Sequence, residues 1–414
     1  MDDCELDLLL KELEADYTDA LKYVDRELEK KTTTMVVDDY ERLQKIGQGT
    51  FGEVFRVRHR VTKQIYALKR LKIEQETEGN LKFTFHENVV RLRGVCHRKA
   101  VPSSNYRYEF YLLFDICEHD LAGVLAQKIE FSLPVKKSIM QQLFTGLYFL
   151  HKNNVLHRDL KTSNILIDRE GVLKIADFGL ARLTVASIRP DRASRYTGRV
   201  VTLWYRPPEI LLNDRYYGRP VDMWGAGCIM AELWTNNPIL QGENELLQLN
   251  LIIQLCGSIT PEVWPAVQNL ETFQKIKLPK DIKRHLREKL TPQVQCTSAV
   301  DLVDKLLVLD PSKRLDAEQA LSHDFFHEDP PPGDLSCLSK NGASFLEYLG
   351  QANRARRGLG NNFRSAANPN FPVRRGPNVM VPGPVPNQPV IAQSYRYRVL
   401  PPDQDSSNIN DRIF

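Results

Sequence analysis

The chain has 414 residues, enough for about two or three compact units with a sizeable core. It is 42% hydrophobic and 26% charged, as soluble globular proteins are, and a net charge of only +4 argues against bulk electrostatic binding of nucleic acid. Its seven cysteines are scattered and form no C-x-x-C pair, which excludes a disulfide or zinc framework and reads as reduced, intracellular thiols. The start, Met1-Asp2-Asp3-Cys4-Glu5, lacks the basic and apolar regions of a secretory signal. No apolar run reaches the ~18 residues of a membrane span.

Residues 1–39 read as an acidic helical extension. Leu6, Leu9, Leu10, Leu13, Tyr17, Leu21, Val24 and Leu28 fall near helical spacing, and residues 1–31 carry eleven acids against five bases. Such a helix either lies solvated on the next domain or docks on a partner. From Tyr40 the pattern changes: Leu43 to Ile46, Glu53 to His59 and Gln64 to Leu71 alternate like strands with turn residues between them. The first turn, Gly47-Gln48-Gly49-Thr50-Phe51-Gly52-Glu53-Val54, is a G-x-G-x-x-G-x-V loop. Its glycines let backbone N–H groups close over phosphates where a Cβ would intrude. A dinucleotide fingerprint looks similar, but here a strand follows the glycines, not a helix, and no G-x-x-x-x-G-K-[ST] loop occurs. The third strand then carries Tyr66-Ala67-Leu68-Lys69, a lysine facing the same loop.

Phe110 to Phe114 reads as a further strand leading into Asp115 to Glu118. Near Asp120 the chain turns from mostly strand to mostly helix, so two lobes are expected with a ligand between them. Pro134 to His151 places Ile139, Met140, Leu143, Leu147 and Leu150 on one face, a buried helix that runs into Val155 to Arg182. There His157-Arg158-Asp159 and Asp177-Phe178-Gly179 sit at the ends of small apolar strands, Asn164 to Asp168 and Leu173 to Ala176. Asp and Asn are common in turns, so either cluster alone carries little weight. Both together, in this order, meet the demands of phosphoryl transfer from ATP: an oriented hydroxyl, oxygen ligands for a divalent metal, and little covalent chemistry from the protein.

Leu180 to Arg206 is polar and basic, and Leu246 to Phe326 alternates helical runs with proline-marked turns, closing on a helix at Ala317 to His323. In residues 352–414 nine arginines meet three aspartates amid Asn and Pro, a composition that argues disorder. Arg354-Ala355-Arg356-Arg357 and Arg374-Arg375 are either nuclear-import or RNA-contacting patches or plain solvated charge.

The glycine loop, Lys69, HRDLKTSN (the H-R-D-x-x-x-x-N pattern) and Asp177-Phe178-Gly179 occur in the order of the eukaryotic protein kinases, and the resemblance covers residues 40–326. Three longer strings, Phe114 to Leu121, Arg195 to Arg206 and Leu255 to Pro265, resemble the cyclin-dependent kinases, and among them the transcription-elongation branch. The implied fold is α+β and bilobal, with a small mainly β N-lobe and a larger mainly helical C-lobe. The expected domains are the extension at 1–39, the N-lobe at 40–118, the C-lobe at 119–326 and a mostly disordered Pro/Asn/Arg-rich tail at 327–414.

The resemblance implies a serine/threonine kinase using ATP and Mg²⁺. Asp159 would accept or orient the substrate hydroxyl proton, Lys161 would neutralise the transferred phosphate, Lys69 would hold the α- and β-phosphates, and Asn164 and Asp177 would hold the metal. Gly47, Gly49 and Gly52 would cover the phosphates. Ile46, Val54, Ala67, Phe114 and Leu166 would pack on adenine, with the backbones of Asp115 and Cys117 at its edge and Asp120 completing the nucleotide site. Thr197 matches the activating phosphothreonine, with Arg158 and Arg182 as its partners. Val200, Val201 and Arg206 match the surface that accepts proline after the target residue. Ser-Pro and Thr-Pro sites are therefore implied, with the RNA polymerase II C-terminal repeat and elongation factors as substrates, a T-type cyclin as partner, and a nuclear location. Glu209 is expected to pair with Arg314 and Asp222 to brace the catalytic loop.

One stretch departs from the family. A helix of about 11 residues with loops of about 2–6 at each end needs about 15–23 positions between Lys69 and His86-Glu87-Asn88-Val89-Val90, where the family carries its cyclin-binding helix and the glutamate partner of the lysine. Only the 16 residues Arg70 to Phe85 are available, and with Arg70 to Lys72 finishing the strand 13 are left, so the stretch is short by up to roughly ten residues of what the fold accommodates. Three explanations fit: a splice or gene-model variant, a catalytically weakened kinase-fold scaffold, or replacement of the acid by Glu74, Glu76 or Glu78 from a shorter helix.

Overall fold

Alternating segments between Met35 and Asp115 build one sheet. The computed structural model describes residues 35–49, 52–71, 86–98, 109–183, 202–338 and 344–351. The N-terminal extension up to residue 34, the short stretch 72–85, Thr197 with Val200 and Val201, and residues 352–414 lie outside the described residues. Six strands, β1 (Met35–Val36), β2 (Tyr40–Gly49), β3 (Gly52–His59), β4 (Ile65–Leu71), β5 (Leu92–Arg98) and β6 (Glu109–Asp115), lie in the order β1-β5-β6-β4-β3-β2. β1 runs parallel to β5, and the other pairs are antiparallel. β5 was not anticipated, although Leu92, Gly94 and Cys96 are buried and Arg93 and Val95 exposed; its arginines and glycine mask the alternation. Val57, Leu68, Cys96, Tyr111 and Leu113 form the core on one face of this sheet.

The second lobe is helical, and its core is the larger one. After β7 (His119–Asp120) come α1 (Leu121–Leu125) and α2 (Leu133–Lys152), then the short strands β8 (Val155–Leu156), β9 (Ile165–Ile167), β10 (Leu173–Ile175) and β11 (Arg182–Leu183). The helices α3 (Pro208–Leu211), α4 (Pro220–Thr235), α5 (Glu245–Cys256), α6 (Glu271–Lys275), α7 (Leu286–Val294), α8 (Thr297–Leu306) and α9 (Ala317–Leu321) complete it. Every residue of α4 from Val221 to Leu233 is buried, as its near-continuous apolar sequence requires, and the acids Asp222 and Glu232 are buried with them. This bilobal arrangement is the expected fold.

The lobes are stitched together just before β5. Val90 N donates to the Ile175 carbonyl and Ile175 N to the Asn88 carbonyl, both at 2.9 Å, so the His86-Glu87-Asn88-Val89-Val90 stretch is fastened to β10. The ordered chain also continues past Phe326: Leu335 and Leu338 are buried, and residues 344–351 return to β7. No helix among the described residues is long and apolar enough to cross a membrane.

Candidate active site

The catalytic stretch is held from below by Asp222, near the start of α4. Its carboxylate accepts from the backbone N–H groups of His157 (3.0 Å) and Arg158 (2.9 Å) and from His151 Nε2 (2.9 Å). Burial works against the ionised form, but His151 and the Arg158 N–H outweigh it and keep this carboxyl below its ordinary range. Arg158, at φ 66°, and Asp177, at φ 65°, both adopt the left-handed region that non-glycine residues avoid. Such conformations persist only where surroundings over-determine them, and here they bracket the reacting groups. His157 helps by donating from Nε2 to the Ala176 carbonyl at 2.9 Å, which ties the catalytic loop to the residue preceding Asp177.

Asp159 is buried, and each of its oxygens has two donors. Oδ1 accepts from Thr202 N (3.0 Å) and Thr202 Oγ1 (2.8 Å); Oδ2 accepts from Lys161 Nζ (2.8 Å) and Asn164 Nδ2 (3.2 Å). Lys161 also reaches Thr202 Oγ1 at 3.1 Å. Asn164 uses its amide nitrogen on the Asp159 carbonyl as well (2.8 Å), which leaves its amide oxygen as the ligating atom. Lys69, on β4, crosses the cleft to Asp177 Oδ1 at 2.6 Å. Burial raises the Asp177 carboxyl pKa, yet Lys69, Lys161 and His157 overcome that and hold it below its usual value. An ionised carboxylate with one amide oxygen is a hard donor set, fit for a divalent cation whose other ligands are phosphate oxygens and water. Among the described residues no group of three His, Cys, Asp or Glu side chains could hold an ion alone.

Gly47, Gly49 and Gly52 lie on the β2–β3 hairpin, in register with Val54, Gly52 and Gly49. At Gly52 (φ +146°) a Cβ would fall 1.8 Å from the Arg70 carbonyl oxygen, so glycine is required there. Ile46, Val54, Ala67, Phe114 and Leu166 are all half-buried, whereas their neighbours Leu68, Leu113, Ile165 and Ile167 are buried. This leaves an apolar lining uncovered where the lobes meet. The Cys117 thiol is buried, which pushes its pKa up.

Asp120 differs from expectation. Its carboxylate accepts from Gly123 N (2.6 Å) and Glu347 N (2.8 Å), and burial pushes its pKa up to about 7. Phe345 N donates to His119 Nδ1 at 3.2 Å, the Phe345 ring stacks on that imidazole, and Ser344 Oγ donates to the Glu118 carbonyl at 2.5 Å. Residues 344–347 thus form a strap across Glu118, His119 and Asp120. The regulatory positions are only partly described. Arg158 is fully buried, donating from Nε to the Leu180 carbonyl (2.6 Å) and from Nη1 to Tyr217 OH (2.9 Å). The backbone of Arg182 pairs with Leu156, while its side chain, like Thr197, lies outside the described residues. Glu209 and Arg314 make the expected buried ion pair, at 2.8 Å.

Two polar residues packed about the site carry no motif. Thr202 has no signal of its own beyond the string around it. Glu232 has a weak one: an acid in an otherwise apolar helix must have a partner.

A glycine hairpin over a lysine, a braced catalytic loop and a metal-competent acid between two lobes together define a protein kinase. The protein kinase domain family matches residues 40–326. The chain is 53% identical over 330 residues to Cyclin-dependent kinase 9 of Homo sapiens, covering 77% of this chain and 88% of that protein. It is 52% identical over 334 residues to the Xenopus tropicalis protein of that name, covering 77% and 89%. A solved structure, the yeast RNA Pol II CTD kinase CTDK-1 complex, superposes with a TM-score of 0.63 at 35% identity, covering 74% of this chain and 98% of that one. The chain belongs to the cyclin-dependent kinase family of serine/threonine protein kinases.

Proposed function

We propose that this kinase is cyclin-activated and proline-directed, and that it phosphorylates Ser-Pro and Thr-Pro sites of the RNA polymerase II C-terminal repeat and of elongation factors in the nucleus. The observation that carries the catalytic part is the closed set around Asp159, in which Thr202, Lys161 and Asn164 fix both carboxylate oxygens. The names of the relatives, a cyclin-dependent kinase and a polymerase CTD kinase, support the partner and substrate. The strings Phe114 to Leu121 and Arg195 to Arg206 support a T-type cyclin and a following proline.

In this reading Asp159 receives the substrate hydroxyl proton, and Lys161 neutralises charge on the phosphoryl group as it moves. Lys69 orients the α- and β-phosphates from β4, and the backbone of the β2–β3 hairpin covers them. Asn164 and Asp177 hold Mg²⁺, which offsets the negative charge of the phosphate oxygens when bound. Arg158 and Arg182 receive the phosphate of Thr197, for which Arg158 must exchange its present carbonyl and tyrosine partners. The basic tail beyond residue 351 is an import or RNA-contacting segment, the boundaries at 39 and 118 separate extension and lobes, and the C-lobe fold that ends near 326 is followed by a segment packed back on it. An assembled catalytic set speaks for an enzyme over a scaffold.

The test is phosphate transfer from ATP to a Ser-Pro repeat peptide in the presence of a T-type cyclin, beside a Ser-Ala peptide and an Asp159→Asn control. Incorporation is expected into the Ser-Pro peptide alone and only with Asp159 intact. Equal labelling of both peptides would sink proline direction, and labelling no greater than the Asp159→Asn control would sink the enzyme reading.

A further inference from the structure

A second cavity, of about 360 Å³, opens where the 86–93 stretch meets Asp115 and β10; it includes neither the glycine hairpin, Lys69 nor Asp177. Among the described residues its polar wall is mostly basic: Arg91, Arg93 and Lys174 outnumber the acids Glu87 and Asp115, and His86 completes it. Arg93 forks onto Asp115, Nε to Oδ1 at 2.6 Å and Nη2 to Oδ2 at 3.0 Å, so that acid is already engaged. Lys174 Nζ donates to the Glu87 carbonyl at 3.0 Å and lies 3.3 Å from the Asp168 carboxylate. Arg91 is half-buried; burial and the like charge of Arg93 lower its pKa, so further negative charge is favourable beside it. The backbone beneath is fixed: Val89 bridges to Ile175, and Asn88 Nδ2 donates to the Leu173 carbonyl at 3.0 Å.

The chain itself points to an occupant. β1 runs parallel to β5 with Met35 beside Cys96 and Val36 beside His97, so the N-terminal end of β1 faces the end of β5 that carries Arg91 and Arg93. Residues 1–31 hold eleven acids against five bases, a surplus of six negative charges. Glu29 lies six residues before Met35, and Arg91 five before Cys96, spans of about 20 and about 17 Å at about 3.3 Å per residue. Asp25, Glu27 and Glu29 are therefore within reach of the cavity, with Lys30, Lys31 and three threonines as the link.

We propose that the acidic N-terminal extension docks in this cavity, its Asp25, Glu27 and Glu29 set against Arg91, Arg93 and Lys174, and is thereby tethered beside Asp115. The occupant is a segment of the same chain. Its short link raises its local concentration to about the millimolar range, which a second copy or a free partner does not reach, and its charge complements the wall. The inference does not depend on the substrate reading.

The test is zero-length carbodiimide coupling of the full chain, which joins a carboxylate to a lysine amine only where the two touch, read by peptide mass spectrometry. Lys174 is expected to couple to Asp25, Glu27 or Glu29 at a yield independent of protein concentration, beside the Lys174–Asp168 link that the fold itself provides. Raising salt from about 0.05 to about 0.5 M should cut the extension link severalfold, and Arg91→Gln with Arg93→Gln should cut it about fivefold or more, while the Asp168 link persists. Hydrogen exchange over residues 20–31 is a second reading that needs no coupling, and it should quicken in the doubly changed chain while the C-lobe is unaltered. A Lys174–Asp168 link with none to the extension overturns the inference. So does an extension link whose yield rises with protein concentration, which marks a second copy as the occupant, or a Lys174 link to an added T-type cyclin in place of the extension. Equal exchange over 20–31 in parent and variant overturns it as well.

Discussion

Thr202 reaches the centre of the site because its side chain is not used to cap the turn that follows it. With Oγ1 donating to Asp159 and accepting from Lys161, it holds these two side chains together. Thr202→Val keeps the backbone N–H bond and the volume but loses both hydroxyl bonds. It should lower kcat by about tenfold or more with little change in the KM for ATP, read by steady-state kinetics on the Ser-Pro peptide. Asp222 makes a pH-dependent prediction. Its folded-state pKa lies below the unfolded value, so its contribution is complete above the unfolded carboxylate pKa and is lost as pH falls through the folded one. Thermal stability should therefore fall below about pH 4, and Asp222→Asn should cost about 2–3 kcal/mol at pH 7 and flatten that part of the profile.

At the scale of elements, the strap formed by residues 344–351 is seated by a glycine. A Cβ at Gly123 would stand 2.5 Å from the Phe345 carbonyl oxygen and 2.8 Å from Glu347 N, both backbone atoms that cannot step aside cheaply. Gly123→Ala should therefore lift the strap without unfolding α1, because alanine suits a helix. The readout is faster proteolysis and hydrogen exchange over 344–351, with Tm within about 2 °C of the parent. If the strap stays protected, its seat is looser than the distances imply. The motif-bearing strands and α2 were legible as elements because their periodicity is strong. β5 and the strap were not: one hides its alternation behind arginines, and the other is held by contacts with Glu118, β7 and α1, more than two hundred residues away.

For the whole molecule, α3 is pinned to the far end of the helical core by Glu209 and Arg314, whose side chains are 1% and 0% exposed. Arg314 also donates to the Pro220 and Val308 carbonyls and lies over the Trp224 ring. Arg314→Met would leave Glu209 charged, buried and unpaired, at a cost of about 3–5 kcal/mol, visible as a fall in Tm of about 10 °C. A double change, Glu209→Leu with Arg314→Met, should recover part of that loss, because it removes both charges together.

The chemistry was written in the sequence alone: Asp159, Lys161, Asn164, Asp177 and Lys69 sit in short strings whose spacing is set by the reaction and by local backbone geometry. Proximity across the fold was not. That Thr202 closes on Asp159, that Glu232 joins two turns, and that Asp120 is taken by the Glu347 N–H all depend on long-range contacts. Such contacts are made by hydrogen bonds in buried ground, where every polar group must find a partner and only the folded chain determines which one is near.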